Sequence, residues 1–174
     1  MQVEVLGNQI QWLKIVMQSE SIQGDYKRLL CKSEGITANK TVFSGTGNLF
    51  FSGSGKIKQF YLDAQDSIVL KKTSVIVTDI TTEQNPLSAS YLDLVTFSGP
   101  GAVFVCGKGD FVEFYLEEGE TVKARTQCII AMDSTVKFEL GSRFSELSGP
   151  GAVLLESAIP EEEESKELTF FDRL

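Results

Sequence analysis

Apolar and polar positions alternate with period two over much of the chain, and this alternation predicts strands. Ile10-Gln11-Trp12-Leu13-Lys14-Ile15-Val16 and Leu29-Leu30-Cys31-Lys32 read as strands. In Phe111-Val112-Glu113-Phe114-Tyr115-Leu116 the side chains of Val112, Phe114 and Leu116 share one face, and Val136-Lys137-Phe138-Glu139-Leu140 alternates as a strand with one wet face does. Val75-Ile76-Val77 and Ile129-Ile130-Ala131 are continuous apolar runs, the pattern of strands buried on both faces. Glycines punctuate these segments at Gly45, Gly47, Gly119, Gly141, Gly149 and Gly151, where a turn needs positive φ or no Cβ. Short strands recurring near every ten residues between Gly-rich turns indicate an all-β sandwich or barrel. The helical pattern is absent, apart from a short turn expected around Ser88–Leu94.

The strands repeat. Phe43-Ser44-Gly45-Thr46-Gly47 returns as Phe97-Ser98-Gly99-Pro100-Gly101, an offset of 54 residues. The same offset carries Gly53 and Gly55 onto Gly107 and Gly109, Phe60-Tyr61-Leu62 onto Phe114-Tyr115-Leu116, and Asp79 onto Asp133, without a gap. Leu147-Ser148-Gly149-Pro150-Gly151-Ala152-Val153 copies the stretch from Phe97 in all but its first residue. The reading is one β-domain over residues 1–157, built of repeats at about 43–96, 97–146 and a unit split between 147–157 and 1–42. Pro160 and the run Glu161-Glu162-Glu163-Glu164 end the pattern, so 158–174 reads as an acidic tail that regains hydrophobicity at Phe170, Phe171 and Leu174.

Charge and composition narrow the chemistry. The 174 residues carry 16 Lys and Arg against 24 Asp and Glu, a net charge of −8, which argues against a phosphate-driven nucleic-acid surface. There is no histidine, which removes a Ser-His-Asp triad, an imidazole base and a His-ligated metal. Cys31, Cys106 and Cys128 are odd in number and form no C-x-x-C pair, so they read as reduced thiols. The N-terminal residues show no signal-peptide pattern and no apolar run is long enough for a membrane helix, from which a cytoplasmic protein is expected.

Each candidate motif has a plain structural reading beside its chemical one. The G-x-G pairs precede strand-like residues rather than a helix, so Gly45, Gly47, Gly99, Gly101, Gly149 and Gly151 are expected to build corners rather than cradle phosphate. Asp79 with Asp133, Asp63 with Glu117 and Asp66 with Glu120 are carboxylates at matching repeat positions, able to hold an all-oxygen cation site but more simply turn caps. Cys106 and Cys128 stand near Lys108 and Arg125 but read as buried filler. Phe50, Phe51, Phe60, Tyr61, Phe114 and Tyr115, with Lys56 and Lys58 nearby, are expected to pack in the core and between strands rather than stack on bases.

The Leu147–Ser157 stretch, the Gly-x-Gly openings and Gln11-Trp12-Leu13-Lys14-Ile15 are similar to the altered-inheritance-of-mitochondria protein twenty-four family. That family is widespread in bacteria and related to a mitochondrial inner-membrane protein. Its members are often described as resembling the tryptophan RNA-binding attenuation protein. The resemblance implies a double-stranded β-helix body with three-fold internal pseudo-symmetry, often assembled into homo-oligomers. The chain departs from the family in its short connection between the first two units and in its acidic tail. The family offers no established catalytic or binding residues to carry over, and the contacts of its RNA-binding relative match nothing here.

The expectation is therefore an all-β double-stranded β-helix or barrel-like sandwich with pseudo-three-fold repeats. In function it is a non-enzymatic scaffold or partner-binding protein, a homo-oligomer with the tail as one protein contact, with no catalytic residue, cofactor or metal. Two alternatives stand beside it. One is an RNA- or small-ligand-binding protein using Lys56, Lys58, Lys71 or Lys72, and the other is a carboxylate enzyme with a divalent metal at Asp79 and Asp133.

Overall fold

The alternation folds into strands almost throughout the computed structural model, which describes residues 1–159. The candidate contacts Phe170, Phe171 and Leu174 lie outside the described residues. β1 (Gln2–Leu6) and the long β2 (Trp12–Gly24) lead to a 3-10 turn at Tyr26–Arg28, then β3 (Leu29–Lys32), β4 (Ile36–Asn39) and β5 (Val42–Ser52). β6 (Ile57–Leu62) and β7 (Ser67–Lys71) lead to a second turn at Lys72–Ser74, then β8 (Val75–Asp79), β9 (Glu83–Leu87), β10 (Leu94–Ser98) and β11 (Gly101–Cys106). β12 (Phe111–Leu116) and β13 (Thr121–Arg125) lead to a third turn at Thr126–Cys128, then β14 (Ile129–Asp133), β15 (Lys137–Glu139), β16 (Phe144–Ser148) and β17 (Gly151–Glu156). The segment Ser88–Asp93 is an irregular loop, without the expected helical turn, pinned by buried Leu92.

All strand pairs are antiparallel, and the described strands form three sheets that do not close into a barrel. The largest runs β3-β5-β2-β8-β11-β6, with β1 added to β2 and β4 to β5. The second runs β12-β17-β14-β7-β10-β9, and the third is β13-β16-β15.

The central strands bury both faces, and period two decides which core each residue enters. In β11, Ala102, Phe104 and Cys106 join Leu13, Ile15, Phe43 and Phe51 in one apolar cluster, while Val103 and Val105 point the other way, toward Ile68, Leu70, Phe97 and Leu154. In β7, Ile68 and Leu70 enter that second cluster, and Val69 enters a third with Ile129, Met132, Leu147 and Val153. The apolar runs at Val75–Val77 and Ile129–Ala131 are thus two-sided strands, as the pattern implied. The face of Val112, Phe114 and Leu116 is buried only at its far end: Leu116 is covered, whereas Val112 at the start of an outermost strand is 49% exposed.

Each 3-10 turn feeds a strand with a break in register against its partner. Leu29 and Cys31 face the successive residues Phe51 and Phe50; Val75 and Val77 face Val105 and Phe104; Ile129 and Ala131 face Leu155 and Leu154. The residue left out in each case is the second of its strand. The first turn is capped by Asp25, whose carboxylate accepts from the Lys27 N–H, and the second is closed by Ser74 Oγ donating to the Lys71 carbonyl at 2.6 Å.

At the corners the chain passes close to itself. A Cβ on Gly149 would lie 2.3 Å from the Glu117 carbonyl oxygen, and one on Gly99 would lie 2.1 Å from that of Asp63. Neither backbone can yield without moving a strand. Gly119 sits at φ +85 with open space around it, so an added methyl there meets only conformational strain. Gly149→Ala is expected to destabilise the fold by about 3 kcal/mol, and Gly119→Ala by about 1 kcal/mol, measured by urea unfolding. Equal losses would mean that close approach does not decide the corner.

Candidate functional site

The six candidate corner glycines divide into two kinds. Gly45, Gly47, Gly101 and Gly151 adopt φ between +132 and +148, a region L side chains rarely enter, and Gly99 and Gly149 lie against carbonyls. The paired carboxylates are engaged locally. Ala102 N–H donates to Asp79 Oδ2 and Ala152 N–H to Asp133 Oδ2, both at 2.8 Å. Asp63 N–H donates to Asp66 and Glu117 N–H to Glu120 in the same way. Asp79 and Asp133 therefore each pin the start of a different strand. Among the described residues, no group of three or more His, Cys, Asp or Glu is arranged to hold a metal ion.

Two of the six aromatic residues depart from expectation. Phe51 is buried in the core, but Tyr61 and Tyr115 are 79% and 57% exposed. They occupy matching positions on β6 and β12, the terminal strands of the two larger sheets, where Phe60 and Phe114 take the inward face and leave the tyrosines the outward one. The lysines of the RNA-binding alternative go to different places. Lys56 donates to the Asn8 carbonyl, and Lys58 pairs with Glu113 of β12 at 2.5 Å and lies over Phe60. Lys71 is drawn inside, and Lys72 lines a neighbouring cleft.

Lys71 lies where charged, hydroxyl and thiol side chains gather. The three 3-10 turns meet at one cleft of about 270 Å³, reached by Arg28 from the first, Thr73 and Ser74 from the second and Gln127 from the third. Cations bridge the turns in sequence. Arg28 Nη2 donates to the Thr73 carbonyl at 2.9 Å, and Lys71 Nζ donates to the Gln127 carbonyl at 2.6 Å, each satisfying the middle carbonyl of the next turn. Lys71 also pairs with Glu156 Oε1 at 3.0 Å; their side chains are only 14% and 5% exposed. The other Glu156 oxygen accepts from the Lys108 backbone N–H at 2.6 Å. Burying these two charges is costly unless each meets a partner, and here each has two.

Cys106 lines the same cleft, with its Sγ 3.8 Å from Ser54 Oγ. Cys128 lies buried behind it, where burial, reinforced by the Glu156 carboxylate, raises its thiol pKa while Lys71 and Arg125 pull it down. Cys31 is exposed on β3. A second, larger cleft of about 370 Å³ lies across Thr73, over Val95 and Phe97; Lys27 and Lys72 are balanced there by Asp25 and Asp93.

The sequence reading missed Arg28, Gln127 and Glu156 as neighbours. One signal was available, since Thr73 and Gln127 are separated by the repeat offset of 54 and so occupy equivalent points of two units. Nothing in the sequence placed Glu156 against Lys71, 85 residues away.

Comparison with known proteins agrees with this architecture. The family model for mitochondrial biogenesis AIM24 matches residues 80–158, from the end of β8 through β17. That segment is similar to the AIM24 family. The AIM24 segment supplies Cys106, Lys108, Gln127 and Glu156 to the cleft, while Arg28 and Lys71 come from residues before it. The crystal structure of a Streptococcus pyogenes protein is similar at TM-score 0.75, covering 90% of this chain and 93% of that one at 11% identity, which bears on the fold alone. No curated protein matches the chain. Among the described residues, no helix is long and apolar enough to cross a membrane.

Two outcomes follow from the cleft. Lys71→Met strands the Glu156 carboxylate and is expected to cost about 3–5 kcal/mol in urea unfolding, with the Lys71→Met/Glu156→Leu pair recovering a substantial part. A double variant as unstable as the sum of the single changes would deny the coupling. In native protein at mildly alkaline pH, iodoacetamide should modify Cys31 rapidly and leave Cys106 and Cys128 unmodified until unfolding, read by mass spectrometry. Raising the pH should make Cys128 reactive only above the normal thiol range, because its thiolate forms late.

Proposed function

We propose that the protein is a non-enzymatic scaffold that self-associates through the open edges of its two larger sheets. The observation that carries this is the pair of exposed tyrosines, Tyr61 on β6 and Tyr115 on β12. Among the described residues both strands are paired on one side only, β6 with β11 and β12 with β17. A terminal strand that presents unpaired backbone and apolar surface together invites pairing. The two edges, Ile57-Lys58-Gln59-Phe60-Tyr61-Leu62 and Phe111-Val112-Glu113-Phe114-Tyr115-Leu116, share the ending Phe-Tyr-Leu, so a second copy is the occupant with a matching pattern.

In this reading the body is a double-stranded β-helix with three-fold internal pseudo-symmetry. Support comes from the recurrence of strand, 3-10 turn and register-broken strand in three places. The element order favours consecutive units, 12–52, 57–106 and 111–156, over one divided between the two ends of the chain. The lack of histidine and the structural engagement of Asp79 and Asp133 favour the non-enzymatic reading. A cytoplasmic setting and a further protein contact through the acidic tail belong to the same proposal.

Light scattering on the purified chain tests it. A multiple of the chain mass is expected, surviving removal of residues 160–174 and falling to the monomer when Tyr61→Arg and Tyr115→Arg are combined. A monomeric wild-type chain, or an oligomer indifferent to both arginines, would sink the edge-pairing reading. An oligomer that collapses with the tail would move assembly there.

A further inference from the structure

We propose, independently of self-association, that the cleft where the three 3-10 turns meet binds a small phosphate-bearing molecule. The charge lining it runs against the molecule as a whole. In a chain of net charge −8, Arg28, Lys71 and Lys108 converge here with Glu156. Both oxygens of that carboxylate are already engaged, by Lys71 and by the Lys108 backbone. Low-dielectric walls focus such a cluster's field into the cleft and draw an anion to it.

Donors remain after the internal bonds are made. Arg28 is held in place by Nη1 donating to Ser54 Oγ at 3.0 Å and Nη2 to the Thr73 carbonyl, yet its buried Nε has no hydrogen-bond acceptor. An Asp25 oxygen stands 3.6 Å from that Nε, close enough for an ion pair but too far for a hydrogen bond. Lys71 spends two of its three ammonium hydrogens on Gln127 and Glu156. The exposed Lys108 ammonium is paired with no carboxylate among the described residues.

Arg28, Lys71 and Lys108, with the hydroxyl residues Ser54 and Thr73, line the cleft from different elements. That arrangement suits a tetrahedral polyanion, which offers acceptors in several directions, better than a flat carboxylate. The volume of about 270 Å³ sits just below the range that holds drug-sized ligands, leaving room for a phosphate on a short organic stem.

Isothermal titration of the full chain with inorganic phosphate, glycerol phosphate and succinate tests the site. Saturable binding of phosphate is expected, with succinate weaker. Lys108→Gln should bind phosphate about tenfold more weakly while its thermal midpoint without phosphate stays at the wild-type value, because the side chain is exposed and its backbone bond to Glu156 is kept. Tighter binding of glycerol phosphate would assign an organic phosphate, and equal binding the free anion. Absence of saturable phosphate binding, an unchanged affinity in Lys108→Gln, or succinate binding as tightly as phosphate would each overturn the proposal.

Discussion

The structure depends on strands that bury both faces at once. β7, β8, β11 and β14 each stand between neighbours in a ladder and between apolar clusters on either side. A strand in that position has no wet face on which to place a polar side chain, so its sequence becomes a continuous apolar run. Its register is equally constrained, because a slip of one residue would exchange the contents of two clusters. Here the chain does shift by one residue immediately after each 3-10 turn, where Leu29–Cys31, Val75–Val77 and Ile129–Ala131 break step with their partners, and once more within β2, between Met17 and Glu20 against β5. The break after a turn lets the strand leave it and still settle with the correct side chains inward.

The cleft is a consequence of that arrangement. A 3-10 turn leaves carbonyls without partners, and cationic side chains can meet them. Arg28 serves Thr73 and Lys71 serves Gln127, so the turns are linked by cations. Once a lysine is drawn that far inside, a carboxylate has to follow it, and Glu156 at the end of β17 does. Polar chemistry at this point therefore has a structural origin. The surplus is what exceeds that need: the Lys108 ammonium, paired with no carboxylate among the described residues.

The Streptococcus pyogenes neighbour shows the same architecture at low sequence identity. At 11% identity almost every surface residue is free to differ, yet 90% of the chain superposes. Similarity at that level bears on the fold and not on the role of any residue. The exposed tyrosines and the cleft cations answer to other demands, and must be judged on this chain's own residues.

Much of the fold was legible in the sequence. Period two and the two-sided runs marked the strands, and the 54-residue offset aligned Asp79 with Asp133 and Gly99-Pro100-Gly101 with its forerunner, because local geometry constrains residue type at each of these points. The outward turn of Tyr61 and Tyr115 was not legible. An aromatic on an alternating strand suits either face, and only the place of β6 and β12 at the ends of their sheets leaves one face uncovered. The cleft was hidden for a similar reason. The sequence by itself determined that the chain is β, where it bends and which segments lie deep. The tertiary structure alone decided that Arg28, Lys71, Lys108 and Glu156 share one cleft, since charges brought together across as many as 128 residues of chain leave no periodicity to read.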